Sequence, residues 1–242
     1  MDLGITSGRR RRPLALLLMP LALVVATWPS AARASSATAV VKPTQELVAL
    51  LAPHQARSHP NALSAPRGLV PADTPITGER TTLPVVARQG QWLDVRLPGR
   101  PNGHTGWINR RATTRLLTYW HVVVDRSRRQ VAVYRAGHVV RVFKAVVGKP
   151  STPTPAGEFF VEESVALRPS DVGAPFALAL SARSNVLQEF DGGPGQIALH
   201  GLSNIGGVPG TAVSHGCVRL ANDAMRWLVV RIGPGTPVTI ES

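Results

Sequence analysis

The chain has 242 residues and a formal net charge of +13, with 27 lysines and arginines against 14 aspartates and glutamates. Only 5% of its residues are aromatic, and aromatic residues are not interleaved with arginines in any run, so a nucleic-acid-binding module is not expected. Such a basic chain suits an anionic surface or polymer as its partner, unless the charges simply solvate the surface.

The first 34 residues have the pattern of a secretory signal peptide. Arg9 to Arg12 form a basic start, Leu14 to Val25 an apolar stretch, and Ala32 to Ala34 a small-residue cleavage site. The apolar stretch is shorter than the roughly twenty residues of a transmembrane helix, although an uncleaved anchor stays an alternative. Cleavage would remove five arginines and one aspartate and lower the net charge from +13 to +9. We expect an exported protein of the periplasm, cell wall or extracellular face, without stable membrane insertion after cleavage.

Residues 35–75 and 76–117 differ in composition. The first stretch is rich in Ala, Pro and Ser and predicts a mobile linker, with a short helix at Thr44 to Ala52. The second stretch has short apolar runs separated by Gly, Pro and Asn, which predict a small β-barrel. Within it, Asn102-Gly103 predicts a type I′ hairpin turn, in which both central residues need positive φ.

The segment from Gln91 to Ile108 resembles bacterial SH3-like domains, in which a Trp-x-x-Val strand pairs with a Gly-Trp-Ile strand. The resemblance implies that residues 76–117 form an SH3-like barrel, of a kind often found beside cell-wall enzymes. We expect Trp92 and Trp107 in its core rather than as ligand-binding platforms. The module either binds cell wall or serves as a spacer.

Residues 119–242 predict a mainly β domain with one helix. Asn222 is expected to cap a helix from Asp223 to about Ile232, which packs Ala224, Leu228 and Trp227 against the sheet. The last strand is expected to close that sheet. Alternating apolar residues predict an antiparallel meander followed by further strands: Trp120 to Val124, Val131 to Tyr134, Val139 to Val147, Glu158 to Val161, Phe176 to Ser181, Ile197 to His200 and Gly235 to Ile240.

Cys217 is the only cysteine, so it cannot form an intramolecular disulfide and must serve packing, metal ligation or thiol chemistry. Gly216 before it allows close approach of a ligand, and His215 and His200 supply imidazoles that could activate a thiol. A zinc site built from His200, His215 and Cys217 is disfavoured, because the chain lacks a second cysteine and a His-Glu-x-x-His motif. Catalysis by the thiol and simple packing stay open at this level.

The order of these residues resembles a known family. His200-Gly201, followed by Ser-His-Gly-Cys-Val-Arg at Ser214 to Arg219, is similar to the signature of bacterial L,D-transpeptidases with a YkuD-type catalytic domain. The resemblance extends to Gly148 to Phe159 and to Gly235 to Ile240, and it covers about Tyr119 to Ser242.

Several residue roles follow from the resemblance and from acyl-transfer chemistry. Cys217 would attack a donor peptide and form a thioester, with His200 as the base. The resemblance implies that the Gly201 carbonyl orients His200 and that His215 shapes the pocket. Backbone amides around Gly216 and Cys217 are expected to stabilise the oxyanion.

Two further residues are expected to serve the substrate. Arg219 would bind a substrate carboxylate, with a structural salt bridge as the alternative. Ser214 is expected either to position His215 at the substrate or to be a turn residue.

The resemblance implies that the substrates are peptidoglycan stem tetrapeptides and that the product is a 3→3 cross-link. An L,D-carboxypeptidase, an enzyme that anchors wall proteins and a non-catalytic wall-binding protein stay as alternatives. We expect a monomer without cofactor or metal.

Overall fold

The computed structural model describes residues 41–190 and 192–242. The predicted signal peptide, residues 1–34, lies outside the described residues. The described chain is mainly β, with a seven-stranded sheet, an eight-stranded sheet and a two-stranded sheet. It also contains one helix within those ranges. The predicted fold class, mainly β with one clear helix, is therefore confirmed.

Residues 45–118 form the seven-stranded sheet, which we call the amino-terminal module. The strands lie across the sheet in the order β3-β2-β6-β5-β4-β1-β7. Whether this sheet is SH3-like stays a prediction. The strands are β1 (Gln45–Leu50), β2 (His54–Arg57), β3 (Pro66–Val70), β4 (Thr82–Gln89), β5 (Trp92–Arg96), β6 (Thr105–Asn109) and β7 (Thr113–Thr118).

The linker predicted for residues 35–75 and the helix predicted at Thr44 to Ala52 are wrong where the structure describes them. Strand β1 pairs antiparallel with both β4 and β7, and its Val48 and Leu50 are buried. Pairing on both sides buries these apolar side chains, which outweighs local helix propensity. The module therefore begins about thirty residues earlier than the predicted boundary at 76.

The expectation that Trp92 and Trp107 lie in the core is also wrong. Both side chains are half-buried, whereas their strand neighbours Leu93 and Ile108 are buried in the module core. Because side chains alternate between the two faces of a strand, the tryptophans lie on the face opposite that core.

The predicted type I′ turn at Asn102-Gly103 is not formed. The connection between β5 and β6 runs from residue 97 to residue 104, and Gly103 takes a positive φ of 73° while Asn102 does not. The Asn102 side chain instead bonds the backbone of Arg183, with the Arg183 N–H donating to Oδ1 at 2.8 Å. This partner lies 81 positions along the chain, so a pattern of neighbouring residues could not predict the conformation of this loop.

The second half of the chain contains the eight-stranded sheet, in the order β10-β9-β8-β17-β12-β13-β14-β16, and the two-stranded sheet β11-β15. Strands β8, β9 and β10 form the predicted antiparallel meander. The last strand, β17, lies between β8 and β12 rather than at an edge. The strands are β8 (Trp120–Asp125), β9 (Gln130–Arg135), β10 (His138–Lys144), β11 (Val147–Gly148), β12 (Gly157–Ala166), β13 (Phe176–Arg183), β14 (Gln196–His200), β15 (Ala212–Ser214), β16 (Val218–Arg219) and β17 (Pro237–Glu241).

Helix α1 (Asn222–Val229) buries Ala224 and Leu228 as predicted, and Trp227 packs at the edge of the same core. It ends before the predicted Ile232. The expected N-cap is wrong, because Ala221 occupies that position and no side chain caps the helix. In the described ranges, no helix has the length and apolar character needed to cross a membrane.

Strand β12 joins two hydrophobic cores through consecutive residues. Phe159 lies in the core of the eight-stranded sheet, and Phe160 lies in the core of the amino-terminal module beside Leu50 and Ile108. Each phenylalanine is 1% exposed. Burial of such a side chain contributes roughly 2 to 3 kcal/mol, so the module and the sheet stabilise one another through this strand.

Candidate active site

The register of β14 and β16 brings the two halves of the motif together. These strands are parallel neighbours, with His200 opposite Arg219 and Leu199 opposite Val218. Cys217 immediately precedes β16, so the parallel register places it opposite Ala198, two residues before His200 on β14. Cys217 and His200 line a cleft of about 420 Å³, which His215 and Arg219 also line.

The tautomer of His200 follows from its contact with the next residue. Its Nδ1 lies 2.8 Å from the carbonyl oxygen of Gly201, which can only accept a hydrogen bond. The proton of the neutral ring is therefore on Nδ1, and Nε2 keeps its lone pair. Burial lowers the pKa of His200 and the nearby charge of Arg219 lowers it further, while the bond to Gly201 acts in the opposite direction. The imidazole of His200 is thus neutral at pH 7.

The turn after His200 is tightly enclosed. A Cβ atom at Gly201 would lie 2.0 Å from the carbonyl oxygen of Ala174, so only glycine fits. The next N–H, that of Leu202, donates to Oδ1 of Asn222 at 2.8 Å, and Nδ2 of Asn222 donates to Ser203. Asn222 therefore tethers the loop after His200 instead of capping α1.

The Cys217 thiol is partly buried, and Sγ lies 4.0 Å from the carbonyl oxygen of Gln196. Burial raises the pKa of this thiol, while a backbone hydrogen bond at Ala198 and the charge of Arg219 act in the opposite direction. The resting form is a neutral thiol, which needs a base before it can attack a carbonyl carbon.

Ser214 is the last residue of β15, and its hydroxyl stabilises the turn that follows. Its hydroxyl donates to the Cys217 carbonyl at 2.6 Å and accepts from the Gly216 N–H at 3.1 Å. Since Ser214 is 0% exposed, the expectation that it binds substrate is wrong. The Gly216 N–H is engaged with Ser214, so its predicted oxyanion role is also wrong. Among the described residues, no acceptor lies in bonding position for the Cys217 N–H.

Sequence reasoning missed two threonines that support the turn of residues 214–217, called here the cysteine turn. Thr154 donates its hydroxyl to the Gly216 carbonyl at 2.7 Å, and Thr152 donates to the Ser214 carbonyl at 3.2 Å. Both threonines are buried. The sequence shows a Thr-Pro repeat from residue 152 to residue 155, but this pattern predicts only an irregular turn and not the contacts of its threonines.

His215 forms part of the cleft wall. Its side chain is exposed, and its ring stacks on Phe190 with 5.8 Å between ring centroids and an interplanar angle of 28°. This pair joins the cysteine turn to the segment that follows β13. The position fits the pocket-shaping role that the family resemblance implies.

Arg219 is a buried cation without a carboxylate neighbour. It is 7% exposed, one Nη atom donates to the Gly206 carbonyl, and Nε has no hydrogen-bond partner. In the described part of the chain, no carboxylate forms an ion pair with it, which removes the salt-bridge alternative. Burial lowers its pKa, as expected for a cation held away from water. An anionic group entering the cleft would satisfy this charge.

Within residues 41–190 and 192–242, no cluster of three His, Cys, Asp or Glu side chains is placed to hold a metal ion.

The model of the YkuD L,D-transpeptidase catalytic domain matches residues 119–240. The chain belongs to this family. L,D-transpeptidase 1 of Mycobacterium tuberculosis is 29% identical over 130 residues, which cover 49% of this chain and 49% of that protein. The YkuD protein of Bacillus subtilis is 29% identical over 124 residues, covering 50% of this chain and 65% of that protein.

The solved structure of Bd1075 from Bdellovibrio bacteriovorus is 27% identical, with a TM-score of 0.41 over 51% of this chain and 48% of that chain. The chain spans about half to two thirds of the length of the curated relatives it matches. The family match begins at residue 119 and so leaves the amino-terminal module unassigned.

Proposed function

We propose that this L,D-transpeptidase is an exported enzyme that acts on peptidoglycan stem tetrapeptides through a Cys217 thioester and forms 3→3 cross-links. The observation that carries the proposal is the shared cleft, which holds a neutral thiol, an imidazole with a free Nε2 and a cation without a carboxylate partner. Family membership supports the reaction class. The pattern of residues 1–34 supports export, and the basic chain suits an anionic wall polymer as partner.

In the first half-reaction, Nε2 of His200 takes the proton of the Cys217 thiol. The thiolate attacks the carbonyl carbon between the third residue of the stem and its terminal D-alanine, and a C–S bond forms. The negative charge that develops on the carbonyl oxygen is stabilised by the Cys217 N–H. Collapse of the tetrahedral intermediate breaks the C–N bond, and D-alanine leaves as its amine with the proton that His200 returns.

In the second half-reaction, the side-chain amine of a neighbouring stem attacks the thioester. His200 accepts the amine proton, the new C–N bond forms, the C–S bond breaks and the thiol is restored. The carboxylate of the donor's terminal D-alanine is the anionic group that Arg219 binds. A planar guanidinium whose Nε is unpaired can donate to a carboxylate in this way.

Intact-protein mass spectrometry tests the proposal. The protein and its Cys217→Ala variant are incubated with a disaccharide tetrapeptide and, separately, with a carbapenem. We expect an adduct on the wild-type protein equal to the donor minus D-alanine, a carbapenem adduct, and neither adduct on the variant. The matched variant is suited to this comparison because alanine replaces only the partly buried thiol.

The products in solution identify the acceptor. A 3→3 dimer supports the proposal, a free tripeptide indicates an L,D-carboxypeptidase, and a protein conjugate indicates an anchoring enzyme. Absence of adduct and product, with binding to isolated cell wall retained, would contradict the proposal and favour a non-catalytic wall-binding protein.

A further inference from the structure

A loop of the amino-terminal module reaches the wall of the active-site cleft. The segment between β13 and β14, described for residues 184–190 and 192–195, is called here the cleft segment. Its Ser184, Leu187 and Phe190 line the cleft, and Phe190 stacks on His215. The position of this segment therefore sets the shape of the cleft opposite the cysteine turn.

Arg100, in the loop between β5 and β6, donates hydrogen bonds to both arms of the cleft segment. The outgoing arm follows β13, and the returning arm leads to β14. Nη2 of Arg100 donates to the carbonyls of Ser184 at 2.8 Å and Leu187 at 3.3 Å on the outgoing arm. Its Nη1 donates to the carbonyl of Pro194 at 2.9 Å on the returning arm. A planar guanidinium with several donors in fixed directions can join these carbonyls in a way that a single-point donor cannot.

Asn102 of the same loop holds the base of the segment. Its Nδ2 donates to the Arg183 carbonyl at 2.7 Å, and its Oδ1 accepts from the Arg183 N–H at 2.8 Å. Nδ2 also lies 3.1 Å from Oδ1 of Asn185. The asparagine amide thus pairs with the last residue of β13 as a neighbouring strand would.

The other hydrogen bonds of the described cleft segment are internal, and among them the Ser184 hydroxyl accepts from the N–H groups of Val186 and Leu187. The Ser184 N–H donates to the Gly195 carbonyl at 2.7 Å and closes the base, while Phe190 and Gly193 bond each other near the tip. A Cβ atom at Gly195 would lie 2.1 Å from the Leu187 carbonyl oxygen, so the two arms are tightly apposed there. In the described chain, the hydrogen bonds that reach the segment from beyond β13 and β14 come from Arg100 and Asn102.

We propose that Arg100, assisted by Asn102, is a positioning residue through which the amino-terminal module sets the shape of the substrate cleft. The module thereby takes part in substrate recognition without touching the reacting atoms. The expected kinetic effect rests on the proposed function. The hydrogen bonds from Arg100 to the cleft segment are a property of the fold and do not depend on that function.

The test compares Arg100→Ala with Arg110→Ala. Arg110 is the matched control, because its Nε donates to Gln91 within the module and does not contact the cleft segment. In Arg100→Ala we expect the amide hydrogens of the cleft segment to exchange roughly tenfold faster with deuterium, as loss of charge-assisted bonds predicts. Residues of β8 and β9 should keep their wild-type exchange rates, and Arg110→Ala should match the wild type throughout.

Kinetics supply the second readout. For the tetrapeptide we expect Arg100→Ala to raise KM roughly tenfold and to leave kcat within about twofold, because the thiol and its base do not contact Arg100. Arg100→Lys should restore only part of the loss, since an ammonium cannot span both arms. Alkylation of Cys217 by iodoacetamide, a small reagent, should stay within about twofold of the wild-type rate.

Three outcomes would overturn the inference: unchanged exchange in the cleft segment, faster exchange spread through β8 and β9, or a fall in kcat at unchanged KM. If the wild-type protein shows neither adduct nor turnover, that result contradicts the proposed function but not the positioning role of Arg100. The exchange comparison then still decides whether Arg100 holds the segment.

Discussion

Nδ1 of His200 donates to the carbonyl oxygen of Gly201 across 2.8 Å, and this contact leaves Nε2 as the ring nitrogen with the lone pair. The backbone carbonyl of Gly201 orients the imidazole ring of His200, since glycine has no side chain that could do so. The contact also requires the chain to turn sharply after β14, which the enclosure of Gly201 enforces.

The pH dependence of turnover should report the lowered pKa of His200. Because burial disfavours the imidazolium, His200 stays neutral below its ordinary pKa of about 6.5. We expect the acidic limb of kcat/KM against pH to lie below pH 6.5. An acidic limb above pH 6.5 would contradict the assignment of His200 as a buried neutral base.

Gly173→Ala should impair the base through direct contact. At Gly173, φ is +84° and a Cβ atom would lie 2.5 Å from Nδ1 of His200. We expect kcat/KM to fall at least roughly tenfold, since displacement of the ring breaks its bond to Gly201. Gly90→Ala is the matched control, because Gly90 also has a positive φ, +56°, but an added Cβ would meet nothing within 4 Å.

Backbone strain costs both glycine variants about 1 kcal/mol of stability. The comparison of kcat/KM at equal folded fraction therefore isolates the contact with His200. Equal activity of the two variants would show that the ring tolerates displacement.

Arg219→Gln should remove a preference for a free carboxylate. The wild-type protein is expected to turn over the tetrapeptide acid roughly tenfold or more faster, in kcat/KM, than the same peptide with an amidated terminus. The variant should treat the two peptides alike. Arg226→Gln is the control, because Arg226 pairs with Asp223 on the exposed face of α1. A preference that survives in Arg219→Gln would exclude Arg219 as the carboxylate ligand.

Asn222→Ala should destabilise the loop after His200 without shortening α1. Loss of the acceptor leaves the Leu202 N–H without its partner, which costs roughly 1 to 3 kcal/mol of unfolding free energy. Asn222→Asp keeps an acceptor and should recover most of that stability. Urea unfolding measures the difference, and circular dichroism should show unchanged helix content. A loss of helical signal in the folded variant would indicate a capping role instead.

We expect His121 to make the stability of the protein sensitive to acid. Burial lowers its pKa to about 4, with a smaller effect from the charge of Arg96, and its Nε2 lies 2.8 Å from the Thr239 hydroxyl, which donates to Glu158. The unfolded chain binds a proton near pH 6.5 and the folded chain only near pH 4. The free energy of unfolding therefore falls as the pH drops through this window, by up to about 3 kcal/mol.

His121→Gln should reduce that loss, as measured by urea unfolding at pH 7 and pH 4.5. His138→Gln is the control, because His138 is exposed on β10. Equal acid sensitivity of wild-type protein and His121→Gln would show that other groups dominate the transition.

The sequence by itself determined the family, most strands of the second half and the two residues, Cys217 and His200, that line one cleft. These depend on local patterns: side-chain alternation along each strand, and a motif whose residues lie within about twenty positions of one another. Prediction from neighbouring residues failed where a residue's hydrogen-bond partner lies far along the chain. Asn102, read as a hairpin turn residue, bonds Arg183 at a distance of 81 positions.

Only the tertiary structure decided three features of the site. It assigned Ser214 and the Gly216 N–H to the cysteine turn, left Arg219 without a carboxylate partner, and brought Arg100 to the cleft segment. It also placed β1 in a sheet where composition indicated a linker. The physical reason is common to these cases: a polar or apolar group is satisfied by whatever the folded chain places beside it, and spacing along the sequence does not reveal that neighbour.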